Sequence, residues 1–294
     1  MGRHLLGLTL ALCACKASIG DGPAVDATVG DDAPAIDAPP DAFVLGAWGP
    51  PTSVPGANSA ASEDDMSLSS ATLEMVFAIV NTADANRKDL YYQSRPSPTG
   101  AWTTPQKLPF SLTGSSEETP RFSGDDLTLF FASDRSGTLG GLDIYKVARP
   151  TVGGAWGTVT HVVNGVSSAA VDKWFAPCGG SRYLMVVGGD LAEGTLGGGA
   201  PTVVASLSST AAEIGAFLTQ DCLTAYFASA SSGTLQLYTS TRTAVTAAWP
   251  APTAVTDFAA LGGAQEDPWV APDNRTFALV SNISGSKDVY LSTR

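Results

Sequence analysis

Short apolar runs, each followed by a polar turn, recur from about residue 62 to the end of the chain. The runs are Leu73–Ala78, Leu127–Ala132, Arg182–Val187, Leu223–Ala228 and Arg275–Val280. Continuous apolar stretches of this length suit strands covered on both faces. Around the run LTLFFA at 127–132 the pattern predicts a four-strand unit. Thr119–Ser123 forms the first strand, and Gly124-Asp125-Asp126 supplies the turn into the second. A Gly-rich loop over Asp134–Gly141 leads to a third strand at Leu142–Arg149, and Ala155–Val163 follows as the fourth.

Two markers fix the period. An Ala-Trp step stands at Trp48, Trp102, Trp156 and Trp249, and a polar-aliphatic-Tyr step followed by Arg stands at Tyr91/Arg95, Tyr145/Arg149, Tyr238/Arg242 and Tyr290/Arg294. Successive Trp residues lie 54, 54 and 93 positions apart, so one unit recurs five times and the third copy has lost both markers. Four strands in roughly 40–50 residues are the dimensions of a propeller blade. The expected fold is all-β, a five-bladed β-propeller with blades at about 62–108, 116–163, 170–208, 212–255 and 265–294 plus 46–54. The last unit stops after its third strand, while the first Ala-Trp strand, Gly46–Val54, has no unit of its own. Pairing the two completes the fifth blade and leaves no exposed sheet edge at the seam. Each Trp is expected to begin an outermost strand and to pack between adjacent blades.

The stretch Pro120-Arg121-Phe122-Ser123-Gly124-Asp125-Asp126, continuing to Leu129–Arg135 and Asp143-Ile144-Tyr145, resembles the TolB-type (WD-like) propeller repeat. Gly124-Asp125-Asp126 replaces that repeat's Pro-Asp-Gly turn, and Ala271-Pro272-Asp273-Asn274 comes closer to it. The resemblance implies a propeller in the cell envelope. It implies no activity, because such repeats serve as scaffolds, binding modules and enzymes alike.

Residues 1–14 have the form of a signal peptide, with Arg3 and His4 before the apolar stretch Leu5–Ala14. Leu12-Cys13-Ala14-Cys15 resembles a bacterial lipobox, which implies lipidation of Cys15. Lys16 follows where an inner-membrane retention signal would show Asp. The expected location is therefore the cell envelope, lipid-anchored at the outer membrane of a Gram-negative bacterium, with the lipid as the only membrane contact. Residues 15–45 hold six Asp among Ala and Pro and read as a disordered acidic tether. Residues 46–294 carry a net charge of −8 without a cluster of Lys or Arg, which argues against nucleic-acid partners.

Past the leader and tether, His161 is the one histidine, and neither a nucleophile elbow nor a phosphate-binding Gly loop is present. No catalytic residues, metal ligands or cofactors are assigned. Cys178 and Cys222 fall near the first turn of adjacent units and are expected to form a disulfide, two free thiols being the alternative. Asp64, Glu118, Glu213 and Glu266 stand at the heads of first strands, which line a propeller's central channel. Three readings of these acids stay open: backbone capping, ligand or Ca²⁺ binding through oxygen, and acid/base chemistry on a glycoside. The expected function is a non-catalytic binding or scaffold propeller for an envelope protein or glycan. The alternative is a carbohydrate-active hydrolase or lyase using the channel-mouth carboxylates.

Overall fold

A computed structural model describes residues 45–294. The leader, Cys15 and the tether up to residue 44 lie outside the described residues. Five separate four-stranded antiparallel sheets make up the five blades of the propeller. Strand β1 (Thr52–Ser53) precedes blade one, formed by β2 (Glu63–Leu68), β3 (Glu74–Asn81), β4 (Arg87–Ser94) and β5 (Gln106–Lys107). Blade two holds β6 (Glu117–Phe122), β7 (Thr128–Ser133), β8 (Asp143–Ala148) and β9 (Thr160–His161). Blade three holds β10 (Asp172–Cys178), β11 (Arg182–Val187), β12 (Asp190–Thr195) and β13 (Thr202–Val203). Blade four holds β14 (Glu213–Leu218), β15 (Thr224–Ser229), β16 (Gln236–Thr241) and β17 (Thr253–Ala254). Blade five holds β18 (Gln265–Val270), β19 (Thr276–Ser281) and β20 (Asp288–Thr293), and β1 is its fourth strand.

Closure therefore happens as expected, with Thr52 paired to Leu291 and Ser53 to Tyr290. Val54 N donates to Val289 O at 3.0 Å, and the Asn58 amide both donates to and accepts from the Val289 backbone. The fourth strands are shorter than the pattern predicts, only two residues each. Phe77, Phe131, Met185, Phe227 and Leu279 occupy one register position in the five second strands, and all are fully buried. This is the wall between neighbouring blades, and it explains why those runs are apolar on both faces.

The two sequence markers prove to be one device. In four blades the Arg guanidinium stacks on the Trp of its own blade: Arg95 on Trp102 at 4.4 Å, Arg149 on Trp156 at 4.5 Å, Arg242 on Trp249 at 4.1 Å and Arg294 on Trp48 at 3.8 Å. The Nε of each Arg donates to a carbonyl in the turn after the first strand, at Thr72, Asp126, Cys222 and Asn274. Each carbonyl belongs to a residue with φ between 58° and 60°. The Trp lies four positions ahead of its short fourth strand and packs at a seam between blades, Trp156 among apolar residues of blades one and two and Trp249 among those of blades three and four. A cation over the aromatic face and a satisfied turn carbonyl supply the reason for the pairing.

Blade three lacks this clasp. Leu196 takes the Arg backbone position, donating to Ser181 O as Arg149 donates to Leu127 O. Its first turn is held instead by the Cys178–Cys222 disulfide, which ties it to blade four with a Cα–Cα distance of 5.4 Å. Cys178 ends β10 and Cys222 sits in the turn after β14.

Candidate functional site

Each first strand breaks register at its third residue, where the backbone turns left-handed. The residues are Asp65 (φ 51°), Thr119 (φ 53°), Trp174 (φ 50°), Gly215 (φ 65°) and Asp267 (φ 51°). In blade four close approach requires Gly215, since a Cβ there would lie 2.7 Å from Asp267 N. These five bulges divide the strand heads into three tiers around the channel.

The first tier is Glu63, Glu117, Asp172, Glu213 and Gln265. Glu63 accepts from Ser59 N, Glu117 from Leu112 N, Asp172 from Ser168 N and Glu213 from Ser209 N, while Gln265 donates to Phe258 O. Each pins the loop that enters its blade. Glu213 also accepts from Ser209 Oγ at 2.6 Å and from Ser229 Oγ at 3.0 Å. It is fully buried and stands apart from the other three acids expected at the channel mouth.

The second tier is Asp64, Glu118, Lys173, Ile214 and Glu266, and here three of the expected carboxylates do converge. They meet lysines. Lys88 Nζ lies 2.7 Å from Asp64, 2.7 Å from Asp65 and 3.5 Å from Glu118. Lys173 Nζ lies 2.7 Å from Glu118, and Lys287 Nζ reaches Asp64 at 2.9 Å and Glu266 at 3.0 Å. Two of these lysines carried a sequence signal, since Lys88 and Lys287 each precede the Asp-aliphatic-Tyr marker.

The third tier closes the channel beneath. Trp174 Nε1 donates to Asp267 at 2.7 Å and to Asp65 at 3.1 Å, so an indole from blade three bridges blades five and one. Below it, buried Arg121 donates to the carbonyls of Met66 and Pro268. Arg121 also borders a cavity of about 320 Å³ that opens at the opposite mouth, between the first turns of the blades.

Electrostatics sort the acids into two groups. Burial opposes ionisation of Asp64, but Lys88 and Lys287 outweigh it and hold the carboxyl well below its usual range. Lys88 and Lys173 likewise bring Glu118 down against the cost of burial. Asp65, Glu266 and Asp267 go up, through burial first and then through their acidic neighbours, Asp267 most strongly. The same carboxylates raise Lys88 and Lys287 despite burial. The mouth therefore holds ionised Asp64 and Glu118 against three ammonium groups, with Asp267 the readiest to keep a proton.

The sign of the pH dependence follows. A carboxyl raised on folding favours the native state below its unfolded pKa of 3.8, and that contribution is lost as pH rises through the higher folded value. Asp267→Asn removes this loss. Urea melts from pH 4 to pH 7 should show the variant gaining stability relative to the parent as pH rises; a difference independent of pH would contradict the assignment.

Oxygens of Asp64, Glu266 and Asp267 come within 4.8 Å of one another, which is metal-ligand spacing. The fit to Ca²⁺ is poor nonetheless. Lys287 already neutralises Asp64 and Glu266, and Trp174 donates to Asp267, so a cation would have to displace both. His161 Nε2 lies 2.9 Å from Asp143, and its ring stacks on Tyr145.

No protein-family profile matches this sequence, and no curated protein matches it either. Solved structures do share its fold. The endo-arabinase of Bacteroides thetaiotaomicron VPI-5482 is 12% identical over 82% of this chain and 96% of its own, with a TM-score of 0.59. The catalytic domain of the Coprinopsis cinerea GH62 alpha-L-arabinofuranosidase is 13% identical over 84% of this chain and 96% of its own, at 0.51. TolB from Acinetobacter baumannii is 14% identical over 81% of this chain, at 0.49, and this chain spans 56% of that protein's length. At such identities the likeness establishes the architecture, a five-bladed propeller, and nothing of the chemistry.

Proposed function

We propose that this protein is a non-catalytic binding or scaffold propeller of the bacterial cell envelope, held there through lipidated Cys15. The observation that carries the reading is the occupation of the channel mouth. Asp64, Asp65, Glu118 and Glu266 each contact a lysine ammonium at 2.7–3.0 Å, and Trp174 blocks the space beneath them. Glycoside hydrolysis needs two carboxyl groups free to exchange a proton with substrate or water across a gap that admits the sugar. An ion network that fixes every acid to a neighbour supplies binding surface and rigidity instead. The fold it shares with arabinan-cleaving enzymes keeps hydrolysis as the competing reading.

The test is incubation of the purified protein with arabinan and arabinoxylan from pH 4 to pH 8, reading reducing ends. No release above a boiled control is expected. Release that disappears in Glu118→Gln or Glu266→Gln would overturn the proposal. Anchoring is tested separately, by radiolabelled palmitate incorporation that Cys15→Ala abolishes.

A further inference from the structure

The arginine–tryptophan clasps differ in what their terminal guanidinium nitrogens reach. Arg149 of blade two is gripped by Glu74 of blade one, at 2.8 and 2.5 Å. Arg242 of blade four is gripped by Glu193 of blade three, at 3.1 and 2.7 Å, and Trp249 Nε1 donates to the same carboxylate at 3.2 Å. Arg294 reaches the Gly46 carbonyl. Arg95 of blade one has its Nε on Thr72 O, but among the described residues no carboxylate or carbonyl meets its two terminal nitrogens.

The seam beside Arg95 is a groove of about 550 Å³, lined by Arg95, Trp102, Val54, Pro55 and Leu291 among others. An equivalent groove of about 610 Å³ lies between blades three and four, lined by Arg242, Trp249, Val204 and Glu193. The correspondence holds position by position. Glu193 pairs with Thr202, the first residue of its fourth strand, and Leu291 pairs with Thr52, the first residue of its own. Leu291 therefore occupies the register place of the carboxylate, and Thr276 occupies that of Glu74 at the start of the second strand. The blade-five edge that faces Arg95 offers neither acid.

We propose that this groove binds an acidic peptide segment, whose Glu or Asp side chain takes the place that Glu193 fills one seam away. The guanidinium fork of Arg95 and the indole N–H of Trp102 are the donors for that carboxylate, as Arg242 and Trp249 are for Glu193. A polypeptide is favoured over an acidic sugar because both internal occupants of such a site are side chains of a strand. The outer edge of β1, Thr52–Ser53, is exposed beside the groove and free to pair with an extended chain. The inference extends the binding reading to a second place on the molecule but stands apart from the channel mouth. Peptide titration reads the groove alone, and arabinan hydrolysis reads the mouth alone, so either can fail without the other.

The experiment titrates the intact protein against fluorescein-labelled hexaglutamate, with hexaglutamine as control, at 50 mM salt by fluorescence anisotropy. Hexaglutamate should bind and hexaglutamine should not. Arg95→Lys, which keeps the charge and loses the fork, should weaken binding about tenfold or more. Leu291→Glu should abolish binding by supplying the internal carboxylate, and should raise the melting temperature as it does so. Equal hexaglutamate binding by parent, Arg95→Lys and Leu291→Glu would overturn the site. Binding of hexagalacturonate without binding of hexaglutamate would overturn the peptide as the partner.

Discussion

Replacing Cys178 and Cys222 together by Ser should cost about 4 kcal/mol of unfolding free energy, on the chain-entropy account of a loop of 44 residues. For a propeller body of this size that corresponds to a fall in melting temperature of roughly 8–16 °C. The loss falls where the fold has least in reserve. Blade three has neither the Arg nor the Trp of the clasp, and its first turn is fastened through sulfur to the neighbouring blade rather than through a guanidinium to its own Trp. Scanning calorimetry of the parent with and without reductant, beside the double Ser variant, measures the effect. A shift under 2 °C would mean that blade three is held by its apolar contacts alone.

The second large effect is expected at Arg149. Its guanidinium is buried, bonds both oxygens of Glu74, bonds the Asp126 carbonyl and lies on Trp156. Arg149→Ala leaves the buried Glu74 carboxylate between blades one and two with no cationic partner and Tyr92 Oη as its remaining side-chain donor, which costs about 3–5 kcal/mol. Removing both partners, as Arg149→Met with Glu74→Met, should restore much of that loss, because no unpaired charge is left behind. Urea unfolding of the single and double variants gives the coupling energy. Near-additive losses would show that the pair acts as two separate packing groups.

Much of the architecture was legible in the sequence because the physics that makes a blade repeats. The apolar second strands mark the walls between blades, and the Ala-Trp and Tyr…Arg steps recur because together they form one stacked clasp. The permutation was legible for the same reason: Trp48 precedes the first unit, and its Arg partner, Arg294, follows the third strand of the fifth. The acidic site was legible only in part. Glu213 and Asp172 lie in one tier, while Asp64, Glu118 and Glu266 lie in the next. Counting four positions back from Phe217 sets Glu213 level with Asp64, Glu118 and Glu266. Phe217, however, pairs as Ser67, Arg121 and Trp269 do, one position ahead of Leu68, Phe122 and Val270. A shift of one turns a strand side chain to the other face. The residue types at Thr119 and Trp174 do not announce a left-handed backbone. Lys88 and Lys287 mark the starts of third strands in the sequence, but their ion pairs form only once the third strand is folded beside the first-strand heads. Arg95 gave no signal of its own; its missing partner shows only when Leu291 is set in register with Glu193.

The most direct measurement is a crystal structure of residues 45–294 soaked with Ca²⁺ and an arabino-oligosaccharide. Lys88 Nζ should remain bonded to Asp64 and Asp65 and Lys287 Nζ to Glu266, with neither ion nor sugar at the channel mouth. Density for either between Asp64, Glu118 and Glu266, with the lysines swung away, would contradict this expectation.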